Sequence, residues 1–282
     1  MSTMSYPPAA GHAGHIDDVV AVELTTDGML VIADCLGLVD FPTALGIRPN
    51  ILQEDVRDLV WDQVRRDLIG QAVLDSFGQP HPAVAAMVRT LSRPDRTLEG
   101  RWWRRDIGDV MVRFAVCRKG ERHVVAVRDG DLLVLQLAAQ HVGLAGMVMS
   151  VLGTAEPADV EPLTGVATEL AGCTTEAQLA RLGVGPATAR IYAEITSNPA
   201  SWVEITAGQC LPGDTSTQTT VAAGVLDSAR GRLVSVPRRI GGKLYGSFLP
   251  GTPDNLQSSL DGLLEFLPAG SWFDHAEATA HD

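Results

Sequence analysis

Apolar and polar residues alternate in "VVAVELT" (residues 19–25), and a period of two predicts a strand. In the next stretch, "TDGMLVIADCLGLVDFPTALG", the period lengthens. Met29, Leu30, Ile32, Ala33 and Leu36 recur at helical spacing behind a capping residue. "NILQEDVRDLVWDQVRRDLIGQAVLDSFG" (50–78) predicts a long helix, capped by Asn50, acidic in its first turns and stopped at Gly78. Its apolar stripe is Val56, Leu59, Val60, Val64 and Leu68. "HPAVAAMVRTL" predicts a further helix, ended by Ser92-Arg93-Pro94.

The period then returns to two. "RTLEGRWWRRD", "VMVRFAVCRKG", "RHVVAVRDG" and "DLLVLQLA" predict four strands, broken at Gly108, Lys119-Gly120 and Asp129-Gly130. Asp-Gly between alternating runs is a hairpin signal. A helix over 141–152 follows, then a linker, "TAEPADVEP" (154–162).

The same plan then repeats. "VATELAGC", "TTEAQLARLG" and "GPATARIYAEI" predict helices, the last ended by Ser197-Asn198-Pro199. "SWVEITAGQ", "TTVAAGVLDS", "GRLVSVPRR" and "KLYGSFLP" predict strands, and "TPDNLQSSLDGLLEFL" a capped final helix. Gly78 and Gly183, Ser92 and Ser197, and Pro94 and Pro199 all stand 105 positions apart. Each half enters its strands through tryptophan, at Trp102-Trp103 and at Trp202.

The expected fold is therefore α+β. A central antiparallel sheet is flanked by two helical bundles, and a pseudo-twofold relates the halves. The expected division is a disordered tail (1–16), an N-terminal half (17–153), a C-terminal half (154–272) and a second tail (273–282), with both halves in one compact domain. Within "RWWRRD", alternation sends Trp102 and Trp103 to opposite faces, so they cannot form one stacking platform.

Composition narrows the function. The 282 residues carry 34 Asp and Glu against 22 Lys and Arg, a net charge of −12, which disfavours phosphate backbones and anionic membranes. No apolar run reaches membrane-spanning length; "HVGLAGMVMSVLG" is too short. The opening residues lack the basic-then-apolar order of a signal peptide, so a cytoplasmic location is expected. Cys35, Cys117, Cys173 and Cys210 are widely spaced and read as free thiols.

Catalytic motifs are missing. There is no G-x-S-x-G, no G-K-[ST] loop and no H-E-x-x-H, and no nucleophile, base and orienter come together. His12 and His15 have no further clustered ligands, so no metal and no cofactor is expected. "LARLGVGPATARIYAEI" (179–195) is similar to a DNA-binding helix-hairpin-helix turn at residues 182–190. Yet it lacks lysine, carries Glu176 and Glu194 on its flanks, and is explained by a helix–helix corner of the repeat. Nucleic-acid binding there is the alternative function.

From Val19 to Phe266 the chain resembles the EspG family, the cytosolic chaperones of mycobacterial type VII (ESX) secretion. The residues carrying the resemblance are "VELTTDGMLVIADCLGLVDFPTALGIRPN", "RTLEGRWWRRD", "AVRDGDLLVLQLA" and "GGKLYGSFLPGTPDNL". "GRWWRRD" and "LDGLLEFLPAG" look most like the branch serving the ESX system that exports the small ESAT-type antigens. The resemblance implies a central antiparallel sheet with two helical bundles, no enzymatic activity, and binding of PE–PPE heterodimers at the hydrophobic tip of the PPE protein.

It also implies where the grip lies. One part is the loop between the first two strands of the first series: Arg104, Arg105, Asp106, Ile107, Gly108 and Asp109. A second is the polar face of the second-half strands, Glu204, Thr206, Gln218 and Thr220. A third is the last helix, with Leu256 and Leu260. Neither nucleic acid nor membrane is an expected partner, and open edge strands leave room for weak pairing between copies.

Overall fold

The computed structural model describes residues 20–273 apart from 52, 140, 174 and 214. The tail expected at 1–16, and the final tail beyond Phe273, lie outside these residues.

The N-terminal half begins with β1 (Ala21–Thr25), α1 (Thr26–Leu36), α2 (Glu54–Gly70) and α3 (Pro82–Ser92). Four strands follow: β2 (Arg96–Arg104), β3 (Val110–Lys119), β4 (Arg122–Asp129) and β5 (Leu132–Leu137). After α4 (Leu144–Leu152), the C-terminal half opens with β6 (Leu163–Val166), α5 (Ala167–Leu170), α6 (Glu176–Ala180) and α7 (Pro186–Ser197). It continues through β7 (Ser201–Leu211), β8 (Thr215–Gln218), β9 (Ala223–Ser228), β10 (Gly231–Ile240) and β11 (Lys243–Pro250) to α8 (Pro253–Leu264).

Local chemistry sets the helix ends. Thr25 Oγ1 accepts from the Gly28 amide at 3.0 Å, and Gly37 closes α1 in the left-handed conformation. Thr252 caps α8 in the same way, through the Asn255 amide at 3.2 Å. α3 and α7 correspond closely. Each has proline in its first turn, and each ends on a residue with nearly the same backbone, Arg93 (φ −135°, ψ 61°) and Asn198 (φ −145°, ψ 62°).

The eleven strands form one antiparallel sheet in the order β1-β5-β4-β3-β2-β7-β9-β10-β11-β6, with β8 also on β7. β2 and β7 meet at the centre. Moving outward from them, each side presents its hairpin-connected strands and ends on the strand that precedes its helices. Alternation gives the sheet two distinct faces. On face one, Leu98, Trp102, Phe114, Val203 and Val234 pack with α4 and α8. On face two, two separate cores form. Leu133, Ala126 and Cys117 lie under α1, α2 and α3, and Leu233 and Leu163 lie with Leu179, Tyr192 and Ile195.

Three elements differ from the sequence expectation. α2 begins at Glu54, not after Asn50, and stops at Gly70, not Gly78. The amides of Val73 and Leu74 turn back to the Leu68 carbonyl, and Asp75 Oδ1 accepts from the amides of Phe77 and Gln79 at 2.8 Å each. Such side-chain bonds compete with helix. Gly78 (φ +78°) therefore turns the chain into α3, as Gly183 (φ +92°) does ahead of α7. The covered stripe of α2 is Trp61, Val64 and Leu68, whereas Leu59 is 72% exposed. Second, β6 was not anticipated; it pairs with β11 and leaves only Ala167–Leu170 helical from "VATELAGC". Third, "TTVAAGVLDS" (219–228) is strand only from Ala223, and β8 ahead of it is an added strand paired with β7. Thr219 accepts from the Ala207 amide (3.1 Å) and donates to the Val221 carbonyl (2.9 Å), which separates β8 from β9.

Candidate functional site: the uncovered centre of face two

Cross-strand register lines up one residue from each strand of the main path on face two. From edge to edge the row reads Leu24, Leu133, Arg128, Arg113, Arg101, Glu204, Gly224, Ser235, Phe248, Leu163. Its apolar ends belong to the two helix-covered cores. In its middle, Arg101 and Glu204 are exposed. The next row is Met111, Trp103, Trp202, Leu226, Leu233. Trp103 and Trp202 are both half-buried, with ring centroids 5.7 Å apart. A strip of aromatic and charged side chains thus runs down the β2–β7 junction between the two helical groups.

On the other side of the charged row lies a polar cluster. Glu99 is buried; one carboxylate oxygen accepts from the Ala44 amide at 2.7 Å and the other from Gln218 Nε2 at 3.3 Å. Gln218 Nε2 also lies 3.3 Å from Thr206 Oγ1. Thr206 and Gln218 therefore converge around Glu99, while Glu204 stands opposite Arg101. Exposed Thr220 lies in the break between β8 and β9. There it joins Leu170, Val221, Pro237, Tyr245 and Phe248 around an opening of about 360 Å³.

The β2–β3 loop is pinned at the end of this strip. Arg105–Ile107 form a single 3₁₀ turn, followed by Gly108 (φ +105°) and Asp109 (φ +60°). The amides of Arg105 and Asp106 both donate to the Ala200 carbonyl, at 3.0 and 3.1 Å, and Arg105 Nη1 donates to Asn198 Oδ1 at 3.1 Å. Arg104 faces the other way. Its guanidinium lies 4.3 Å from the Trp102 ring centroid and bonds both carboxylate oxygens of Asp106, at 2.8 and 2.6 Å. The hydrogen bond from Arg104 holds the Asp106 carboxyl below its ordinary value.

Of the residues expected to bind, Arg105, Ile107, Asp109, Glu204, Gln218 and Thr220 are exposed on or beside the strip, and Thr206 is half-buried within it. Arg104 and Asp106 brace the loop. Leu256 and Leu260, 2% and 0% exposed, pack into the face-one core and do not join this surface. The resemblance implied contacts from α8, but its apolar spacing serves the sheet beneath it. Missing from the expected set were Arg101, Trp103, Arg113 and Trp202. Strand alternation already groups Arg101 with Trp103; only the register adds Arg113 and Trp202.

A model of the EspG family matches residues 25–262. The chain belongs to the EspG family. The ESX-1 secretion-associated protein EspG1 of Mycobacterium marinum is 72% identical over 277 residues, 98% of this chain and 99% of its own. That of Mycobacterium tuberculosis is 71% identical over 272 residues, 96% of each chain. The ESX-3 secretion-associated protein EspG3 of Mycolicibacterium smegmatis is 29% identical over 267 residues. Within the EspG family, the chain falls on the ESX-1 branch. Its fold is similar to that of the M. tuberculosis type VII secretion system chaperone EspG5, solved in complex with a PE25–PPE41 dimer. The TM-score is 0.73 at 21% identity, covering 89% of this chain and 98% of that one.

Proposed function

We propose that this EspG-family chain is a non-enzymatic chaperone of ESX-1 secretion. It binds the hydrophobic tip of the PPE protein in a cognate PE–PPE heterodimer, keeps the pair soluble in the cytoplasm and delivers it for export. The observation carrying this reading is the uncovered strip around Trp103 and Trp202, between two helical groups that cover the rest of face two. Aromatic and arginine side chains at the centre of a half-open surface are the usual anchors of a protein interface. Docking a partner's apolar tip there withdraws two apolar surfaces from water together. The opening beside Thr220 offers an apolar receiver next to the strip.

We further infer that the two halves are copies of one unit related by a pseudo-twofold. The strand order about the β2–β7 junction supports this, as do the matching ends of α3 and α7 and the glycine turns before them. The nucleic-acid alternative at residues 182–190 gains no support: that stretch is the turn and helix start of α7, with Val184, Thr188 and Ala189 buried.

The test is co-expression with ESX-1 PE–PPE pairs. The chaperone reading expects one pair to become soluble and to co-elute with the chain on size exclusion. Separate elution of every pair contradicts it.

A further inference from the structure

Arg101, Arg113 and Arg128 stand directly opposite one another on β2, β3 and β4, on the same face. Side chains so placed have Cβ atoms about 5 Å apart, where like charges destabilise a sheet. Arg128 is occupied by the fold: it donates to the carbonyls of Leu45 (2.8 Å), Gly46 (2.6 Å) and Gly130 (2.9 Å). Arg101 has Glu204 opposite it on β7. Arg113 has an arginine on either side and, among the described residues, no ion pair. Burial, and next the charge of Arg113, lower the proton affinity of the Arg128 guanidinium. Asp131 acts on Arg128 and Glu204 faces Arg101, so Arg113, between two arginines, is the least compensated of the three.

We infer that Arg101 and Arg113 form a receiver for carboxylates, on which an acidic segment of the cargo protein lies across β2 and β3 beside the Trp103–Trp202 pair. This rests on the chaperone reading and adds orientation to it. The cargo's apolar tip goes to the second-half side, toward Leu170 and Phe248, and its acidic flank to the first-half side. Guanidinium groups bind carboxylates through paired hydrogen bonds. A polyanion such as nucleic acid suits the row less well, because Glu204 continues it and Glu99 lies in the adjacent row. The receiver is also continuous with the aromatic strip, so one protein surface can cover both.

The double variant Arg101→Gln/Arg113→Gln tests this against a purified ESX-1 PE–PPE heterodimer, with Trp202→Ala as the comparison. At low salt the double variant is expected to bind about tenfold more weakly than wild type, mainly through slower association. Wild-type affinity is expected to fall with salt and approach that of the variant near about 0.5 M, where screening is nearly complete. Trp202→Ala is expected to weaken binding at every salt concentration. The free double variant is expected to melt no lower than wild type, because like-charge repulsion is relieved. Wild-type affinity and salt dependence in the double variant, with Trp202→Ala impaired, would overturn the carboxylate receiver and leave the chaperone reading standing. Failure of wild type to bind any heterodimer removes both. Binding of duplex DNA by wild type and not by the double variant, with heterodimer binding unchanged, reassigns the arginines to nucleic acid and overturns the inference.

Discussion

Gly100 lies in β2 directly across from Phe114 on β3. A Cβ at this position would sit 2.1 Å from the phenyl ring, which is fully buried in the face-one core. Gly100→Ala must displace that ring, at a cost of about 1–3 kcal/mol. The denaturation midpoint should fall with an unchanged slope; an unaltered midpoint contradicts the packing described. The cysteines make a second prediction. Burial, and then the charge of Glu99, push the Cys117 thiol far up, whereas Cys210 is exposed. A thiol reagent should modify Cys210 in the native protein and Cys117 only after unfolding, as read by peptide mass mapping. Early modification of Cys117 would show β3 to be accessible. Alternation alone separated Trp102 from Trp103, because the period of a strand is fixed by geometry. The arginine row was hidden, because three residues in three strands become neighbours only through hairpin register.

At the scale of elements, the β2–β3 loop is held by the Arg104–Asp106 ion pair, by two amides on Ala200 and by Arg105 on Asn198. Arg104 lowers the Asp106 carboxyl below its ordinary value of 3.8. A carboxyl depressed by folding contributes stability above its unfolded value and loses it as the pH falls through its folded value. Melting curves recorded on descending from about pH 5 to pH 2 should thus decline less steeply for Asp106→Asn than for wild type. Asp106 is partly exposed, so the difference will be small. Identical acid limbs would remove the loop brace from the account. The strands of the first series, β7, β10 and β11 of the second, and the capped starts of α1 and α8 were legible from period and turn chemistry. β6 was not, since four residues including Gly165 show no periodicity and take their strand form from pairing with β11. The end of α2 was missed because the Asp75 turn outcompetes helical spacing that continues past Gly70.

At the scale of the molecule, β2 and β7 join the strands of the N- and C-terminal halves into one sheet, and the junction creates the surface of interest. The 105-residue spacing picks out Gly78 and Gly183, which turn the chain ahead of α3 and α7. Which face stays open was not legible. α8 reads as an amphipathic helix in either arrangement, and only packing shows Leu256 and Leu260 beneath face one. The central claim is that a PE–PPE heterodimer sits on the strip between the helical groups of face two. Hydrogen–deuterium exchange of the chain with and without a cognate ESX-1 heterodimer tests this most directly. Protection is expected in β2, β7, the loop 105–109 and the break at 219–222, with α4 and α8 unchanged. Protection confined to α4 and α8, or none in a complex that co-elutes, would contradict it.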